Sequence, residues 1–350
     1  MKVLHVTRDF PPRAAGGLSV AVAGLVAAAA ARGVAQAVVS FDGWRPAGAR
    51  PPRTSLGEVG GVRVLRVEDA LDERALAAFA AELDPDVVQI HDGALAALTP
   101  RATVGPRATR VQMVHVLSHL QDALRRSEPT GTTLALDEAV RTADRVVVAT
   151  HAAAAAARER WPAAAERLSV AGLAPGLQTH ARAADAERGP MVAALRFDWL
   201  KGVDLLVAAT PALTRARPVI VAGGLPESPK SERRWARRLE AAGATWVGWV
   251  GPDTMAELLA RAALVIAPSR LETCGLALLE AAQAGVPTVA SDIAAHREIV
   301  PDAAFFASGD AAALVATATA LLAAPRAPRP APGWDAKAEE WLAFWRACRG

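Results

Sequence analysis

Apolar and polar positions alternate along this chain on two scales. Short runs of Val, Ile, Leu and Ala are separated by longer stretches in which apolar residues recur at helical spacing. The short runs read as strands buried on both faces, and the longer stretches as helices. Strands are predicted over 3–6, 37–39, 62–67, 87–90, 111–115 and 146–149, and a second series over 191–195, 219–222, 246–247, 264–267 and 288–290. Strands that alternate with helices build βα units, so the pattern predicts an α/β fold with parallel sheets. The polar, alanine-rich stretch 178–190 separates the two series and reads as a linker between two Rossmann-like domains, 1–180 and 181–330. The apolar stretch 18–31 falls short of the roughly 20 residues a membrane span needs and is expected as a buried helix. After a Pro/Ala/Arg-rich segment, 323–333, a last helix within 331–350 carries Trp341, Phe344 and Trp345 on one face.

Composition narrows the functional classes. A formal charge of +3 over 350 residues, with no basic arm, gives nucleic-acid binding no electrostatic support. Cys274 and Cys348 are too far apart in sequence to suggest a disulfide framework or a cysteine metal site, which fits a reducing cytoplasm. Residues 1–7 read as a strand rather than a signal peptide, because Arg8 and Asp9 follow at once. The alanine, arginine and proline bias and the absence of tyrosine reflect a GC-rich bacterial genome and carry no functional information. Arg233, Arg234, Arg237 and Arg238 cluster on one helical face, which is either a solvated helix or a weak peripheral contact with anionic lipid.

The chemistry concentrates in residues 268–287. Val265 and Ile266 end a strand, Gly275 opens a helix, and Gly285 followed by Pro287 ends it. Glu272 therefore lies in a loop and Glu280 on the helix. The rise from Gly275 to Glu280 is roughly 7–8 Å, so the carboxylates can reach two separated hydroxyl clusters while the helix N-terminus between them attracts an anion. Hydroxyls at both ends and a diphosphate between them describe a nucleotide sugar. Arg196 falls at the carboxyl end of a strand and Lys201 at the start of the next helix, where open α/β sheets bind ligands. Two cations there would neutralise a diphosphate and stabilise it as a leaving group. Residues 221–226 lack the G-x-G-x-x-G spacing, and neither a P-loop nor a DxD-type metal motif marks the site, so transfer without a metal cofactor is expected.

This block, with its prolines, glycines and both carboxylates, resembles the Glu-x7-Glu region of GT-B glycosyltransferases, especially the retaining family 4 group. The resemblance is strong over 191–300 and looser before. It implies a GT-B fold in which two Rossmann-like domains face a central cleft, the first binding an acceptor and the second a nucleotide sugar, with the C-terminal helix packing back on the first domain. It implies donor-sugar contacts from Glu272, ribose contacts from Glu280, diphosphate contacts from Arg196, Lys201 and the backbone near Cys274, Gly275 and Leu276, and a base site around Val250. Gly16 and Gly17, after the first strand, would lie between donor phosphate and acceptor. His115 would face the reacting sugar and, with Arg196, Lys201 and Glu272, complete the catalytic set; Asp9, His91 and Asp92 are acceptor candidates. The expected donor is a UDP-sugar, with GDP- or ADP-sugars as alternatives, and the expected acceptor is small. An epimerase or hydrolase of the same fold, or a non-catalytic nucleotide-sugar-binding paralogue, are the rival readings. The chain departs from the family at 174–178, where Pro-Asn-Gly and an acidic residue are usual, at Cys274 in place of an aromatic, and at Ala294-Ala295 before His296.

Overall fold

The computed structural model describes residues 1–12, 17–42, 54–68, 72–176, 180–224 and 228–349. Gly16, and the departure from the family at Leu177 and Gln178, lie outside the described residues. The chain divides into two compact units, one of residues 1–174 and 334–350, the other of residues 175–333.

The first unit is built on an eight-stranded sheet. Its strands are β1 (Lys2–Thr7), β2 (Ala35–Ser40), β3 (Thr54–Val59), β4 (Val62–Val67), β5 (Val87–Ile90), β6 (Thr109–Val114), β7 (Arg145–Val148) and β8 (Leu168–Val170). They lie in the order β3-β4-β2-β1-β5-β6-β7-β8. The central strands are mostly apolar because helices cover both faces of the sheet; Val3, Leu4, Val6, Val87 and Ile90 are fully buried. All neighbours pair in parallel except β3 and β4, which form an antiparallel hairpin at the edge. The parallel-sheet expectation is corrected there. Strand β3 has four exposed residues in its centre and carries no apolar run to reveal it. The helix Gly17–Ala30 covers one face with Ala21, Val22, Leu25, Val26 and Ala29.

The second unit has six parallel strands: β9 (Met191–Ala194), β10 (Val219–Ala222), β11 (Thr245–Gly248), β12 (Leu264–Ala267), β13 (Thr288–Ser291) and β14 (Ala304–Phe306). Their order, β11-β10-β9-β12-β13-β14, is doubly wound. The chain steps outward from β9 on one side, then returns to lay β12 on its other flank. The loops leaving β9 and β12 therefore diverge at the carboxyl edge, and this switch point is where such sheets bind ligands. The first sheet has the same reversal between β1 and β5.

The last helix, Trp334–Ala347, belongs to the first unit. Trp341 and Trp345 are fully buried, and a buried indole needs an acceptor for its N–H. Trp341 Nε1 donates to the Gly172 carbonyl at 2.9 Å, and Trp345 Nε1 to Gln89 Oε1 at 2.7 Å. Arg32 pairs with Asp335 and Glu339 along the outer side. Trp341→Ala is expected to destabilise the first unit by about 3–5 kcal/mol, through the lost ring volume and an orphaned carbonyl. Urea unfolding followed by circular dichroism measures the loss.

Candidate functional site

In the second unit the loops after β9 and β12 are tied to each other. The Arg270 amide donates to the Leu200 carbonyl at 2.7 Å. Its guanidinium holds Asp204 with two bonds of 2.7 and 2.8 Å, donates to the Trp199 carbonyl at 2.7 Å, and lies 4.3 Å from the Trp199 ring centroid. Gly202, at φ +73°, presses so close to this loop that a Cβ would stand 2.1 Å from the Pro268 carbonyl oxygen. Only glycine fits there without backbone movement.

This clamp brings Lys201 and Glu272 together. Lys201 Nζ lies 2.7 Å from Glu272 Oε1, and the Ser269 hydroxyl donates to the same oxygen at 2.9 Å. Burial would raise the Glu272 pKa, but the Lys201 charge and hydrogen bond, His296 and Ser269 outweigh it and hold the carboxylate below its ordinary range. His296, on the helix Ala294–Ile299, is buried, and its pKa is lowered by that burial. Its Nδ1 must donate to the Ser291 carbonyl at 2.9 Å, because a carbonyl can only accept; the neutral ring then keeps its lone pair on Nε2. The Ser291 hydroxyl in turn donates to the Ser269 carbonyl. Ser269, Ser291 and His296 were not among the candidates drawn from the sequence, where single serines in a loop or at a strand end carry no pattern and His296 stood out only as a neighbour of a family departure.

Arg196 follows β9, with Nη2 3.3 Å from Asp198 Oδ2. Asp198 also accepts from the Leu200 amide at 2.8 Å and so caps the turn Trp199–Lys201. Both predicted cations thus face carboxylates, a pairing the sequence did not foretell. Gly275, at φ +83°, opens the helix Leu276–Gln283 and brings no side chain to cap it. A Cβ there would meet Ile299 Cδ1 at 3.0 Å. The first turn of that helix offers backbone amides and the positive end of the helix dipole. Glu280 lies one turn further on, and burial alone lifts its pKa to about 7. Cys274 is buried, while Leu276 and Val250 are half-buried, Val250 just beyond β11.

In the first unit, Asp9 follows β1, Gly17 opens its helix, and Asp92 caps the helix Gly93–Leu98. Asp92 also pairs with Arg8 at 2.7 Å. His91, expected as an acceptor contact, lies just past β5. It is 3% exposed, and both ring nitrogens are taken: Nε2 lies 3.1 Å from His5 Nδ1, and Nδ1 lies 3.0 Å from His115 Nε2. A ring so engaged has no donor or acceptor left for a ligand. Burial lowers the pKa of all three histidines, to about 4 for His5 and His115. His115 is half-buried just past β6. Among the described residues, no three His, Cys, Asp or Glu side chains converge as a metal cage, and no helix is long and apolar enough to cross a membrane.

Two family models match the chain: glycosyl transferases group 1 over residues 190–324 and glycosyltransferase family 4 over residues 15–172. No curated protein sequence matches it. Among solved structures it is similar to a sucrose-phosphate synthase from Thermosynechococcus elongatus, with TM-score 0.74, 19% identity, and 99% of this chain and 96% of that one covered. It is similar to the catalytic domain of starch synthase IV from Arabidopsis thaliana bound to ADP and acarbose, with TM-score 0.69, 14% identity, and 99% and 95% covered. It is also similar to the HepE protein of Anabaena in complex with UDP and glucose, with TM-score 0.69, 15% identity, and 99% and 100% covered. At these identities the likeness establishes the fold, two Rossmann-like sheets of the GT-B class.

Glu280 yields a prediction whose sign is fixed by its raised pKa. Between the ordinary value of 4.5 and about 7 the unfolded carboxyl gives up its proton while the folded one keeps it, so burial costs more stability as pH rises through that window. Glu280→Gln is expected to stabilise the ligand-free protein by about 1–3 kcal/mol at pH 8 and by little at pH 4. Urea unfolding at the two pH values tests this.

Proposed function

We propose, for a chain that belongs to the group 1 and family 4 glycosyltransferases and is therefore a glycosyltransferase, that it moves a sugar from a nucleoside-diphosphate sugar to a small acceptor with retention of configuration. The observation that carries the reading is the Lys201–Glu272 pair beside an uncapped helix start at the switch point of the second sheet. The arrangement suits a ligand with an anionic centre and hydroxyls on either side. Lys201, Arg196 and the amides at Gly275 and Leu276 take the diphosphate. As its oxygens replace Glu272 as the partner of Lys201, the Glu272 carboxylate turns to the sugar hydroxyls. Glu280, near half-protonation at neutral pH, binds the ribose hydroxyls, and backbone around Val250 holds the base. Residues of the first unit, Asp9, Gly17, Asp92 and His115, serve the acceptor and the reacting sugar.

No side chain acts as a covalent nucleophile in this scheme. The bond from the anomeric carbon to the diphosphate oxygen breaks, the acceptor oxygen bonds to that carbon on the same face, and the departing diphosphate takes the acceptor's proton. The protein supplies position and preorganised charge. The neighbours holding UDP with glucose, and ADP with acarbose, support a nucleotide-sugar donor, and UDP is the first expectation. Cytoplasmic location and transfer without a metal cofactor complete the proposal.

A panel of UDP-, GDP- and ADP-sugars should give one donor that raises the melting temperature, since saturation at 100 times the dissociation constant adds about 2.7 kcal/mol. Lys201→Ala and Glu272→Ala are each expected to lower the transfer rate by at least about 100-fold with unchanged circular dichroism, and full activity in both would refute the assignment. Transfer in excess EDTA should match that without it, and the anomeric coupling in the product's NMR spectrum reads the stereochemistry. Product formed from donor alone would favour an epimerase or hydrolase.

A further inference from the structure

Three polar rings run through the first sheet to its carboxyl edge, among strands whose buried side chains are mostly aliphatic. His5 sits at the centre of β1, fully buried, with His91 beyond β5 and His115 beyond β6. Consecutive ring centroids are 5.4 and 5.3 Å apart, at interplanar angles of 21° and 26°. Trp345 stands edge-on to His5, with ring centroids 5.7 Å apart. The row begins on β2, where Gln36 Oε1 lies 2.9 Å from His5 Nε2 while Gln36 Nε2 donates to the Val26 carbonyl at 2.6 Å. A row of satisfied core histidines needs no function. This row, however, is anchored at one end by a backbone carbonyl and ends at the carboxyl edge of the sheet, where ligands bind.

We propose that Gln36, His5 and His91 are positioning residues for His115, a polarised hydrogen-bond chain that fixes its Nε2–H tautomer and makes Nδ1 an acceptor. The polarity follows from one group that cannot donate. The Val26 carbonyl accepts, so the Gln36 amide nitrogen must face it and the amide oxygen must face His5. His5 Nε2 then carries the proton, and in a neutral ring Nδ1 is left to accept. His91 Nε2 donates to it at 3.1 Å, and His91 Nδ1 accepts from His115 Nε2 at 3.0 Å. The reverse order would set the His5 lone pair against the Gln36 oxygen. Burial keeps the rings neutral at physiological pH, so each holds one proton and the direction propagates. Any group that meets His115 Nδ1 must therefore bring a proton, as a sugar hydroxyl does. The catalytic consequence rests on the role given to His115 above; the tautomer itself does not.

Long-range proton–nitrogen correlation spectra of histidine-labelled protein read each tautomer directly. The wild type should show Nε2–H alone at His5, His91 and His115. Gln36→Met removes the anchoring oxygen and should give both tautomers at His115, with kcat lowered about tenfold and the donor KM unchanged. Gln36→Glu, which restores an acceptor toward His5, should keep the wild-type tautomer and most of kcat, and it serves as the folded variant should methionine destabilise β2. An Nδ1–H tautomer at His115 in the wild type would overturn the proposal, as would a Gln36→Met protein with unchanged tautomers or with changed tautomers and full kcat. A wild type with the expected tautomers but no transfer from any nucleotide sugar would support the chain while refuting the roles assigned under the proposed function.

Discussion

A buried carboxylate needs a counter-charge, and in the second unit that requirement ties the Glu272 loop to the sheet's topology. Glu272 leaves β12 and Lys201 leaves the neighbouring β9, strands joined in register at Met191 with Leu264 and Val192 with Val265. The ion pair exists because the sheet reverses direction between them. Such a pair adds little net stability, since desolvating both charges offsets their attraction, yet removing either partner leaves the other stranded. It is therefore better understood as stored charge. The Arg270–Asp204 clamp and the close approach at Gly202 hold both loops, and with them both charges, in place.

Much of this was legible in the residues, for a definite reason. Apolar runs mark strands buried on both faces, and Gly275, Gly285 and Pro287 punctuate one helix clearly enough to place Glu272 and Glu280 on either side of its start. Edges were not legible. Strand β3 exposes Leu56 to solvent at 68%, and β8 and β14 have three residues each, so neither pattern nor length distinguishes them from loop. Partners were not legible either. Ser269 reaches Glu272 within one loop and His296 reaches Ser291 five residues away, but the Ser291 hydroxyl meets the Ser269 carbonyl only because β12 and β13 pair, which nothing local reveals.

The histidines show a different limit. A histidine at a strand end looks the same in sequence whether its ring meets a ligand or another ring. His91 and His115 occupy equivalent positions after β5 and β6, yet His91 is enclosed and His115 reaches the edge. What separates them is His5, hidden inside the apolar run of β1, and the last helix, whose Trp345 closes over it from far along the chain. That indole hydrogen-bonds to Gln89 on β5, so the C-terminal helix seals the polar row it covers. A buried polar network is favourable only when its members are satisfied, which is why a helix distant in sequence is part of the first unit's chemistry as well as its packing.

The two glutamates complete the picture, because their surroundings push them in opposite directions. Glu272 is held ionised by Lys201 despite burial, whereas burial alone raises Glu280 to about 7. Two carboxyls of the same kind, eight positions apart, thus enter the same pH range as a fixed anion and as a group that can give or take a proton. Separating pKa values by environment is how a protein assigns different duties to identical side chains. Here the separation follows from position: one residue sits in a loop that the sheet brings against a cation, and the other on a helix where burial alone acts on it.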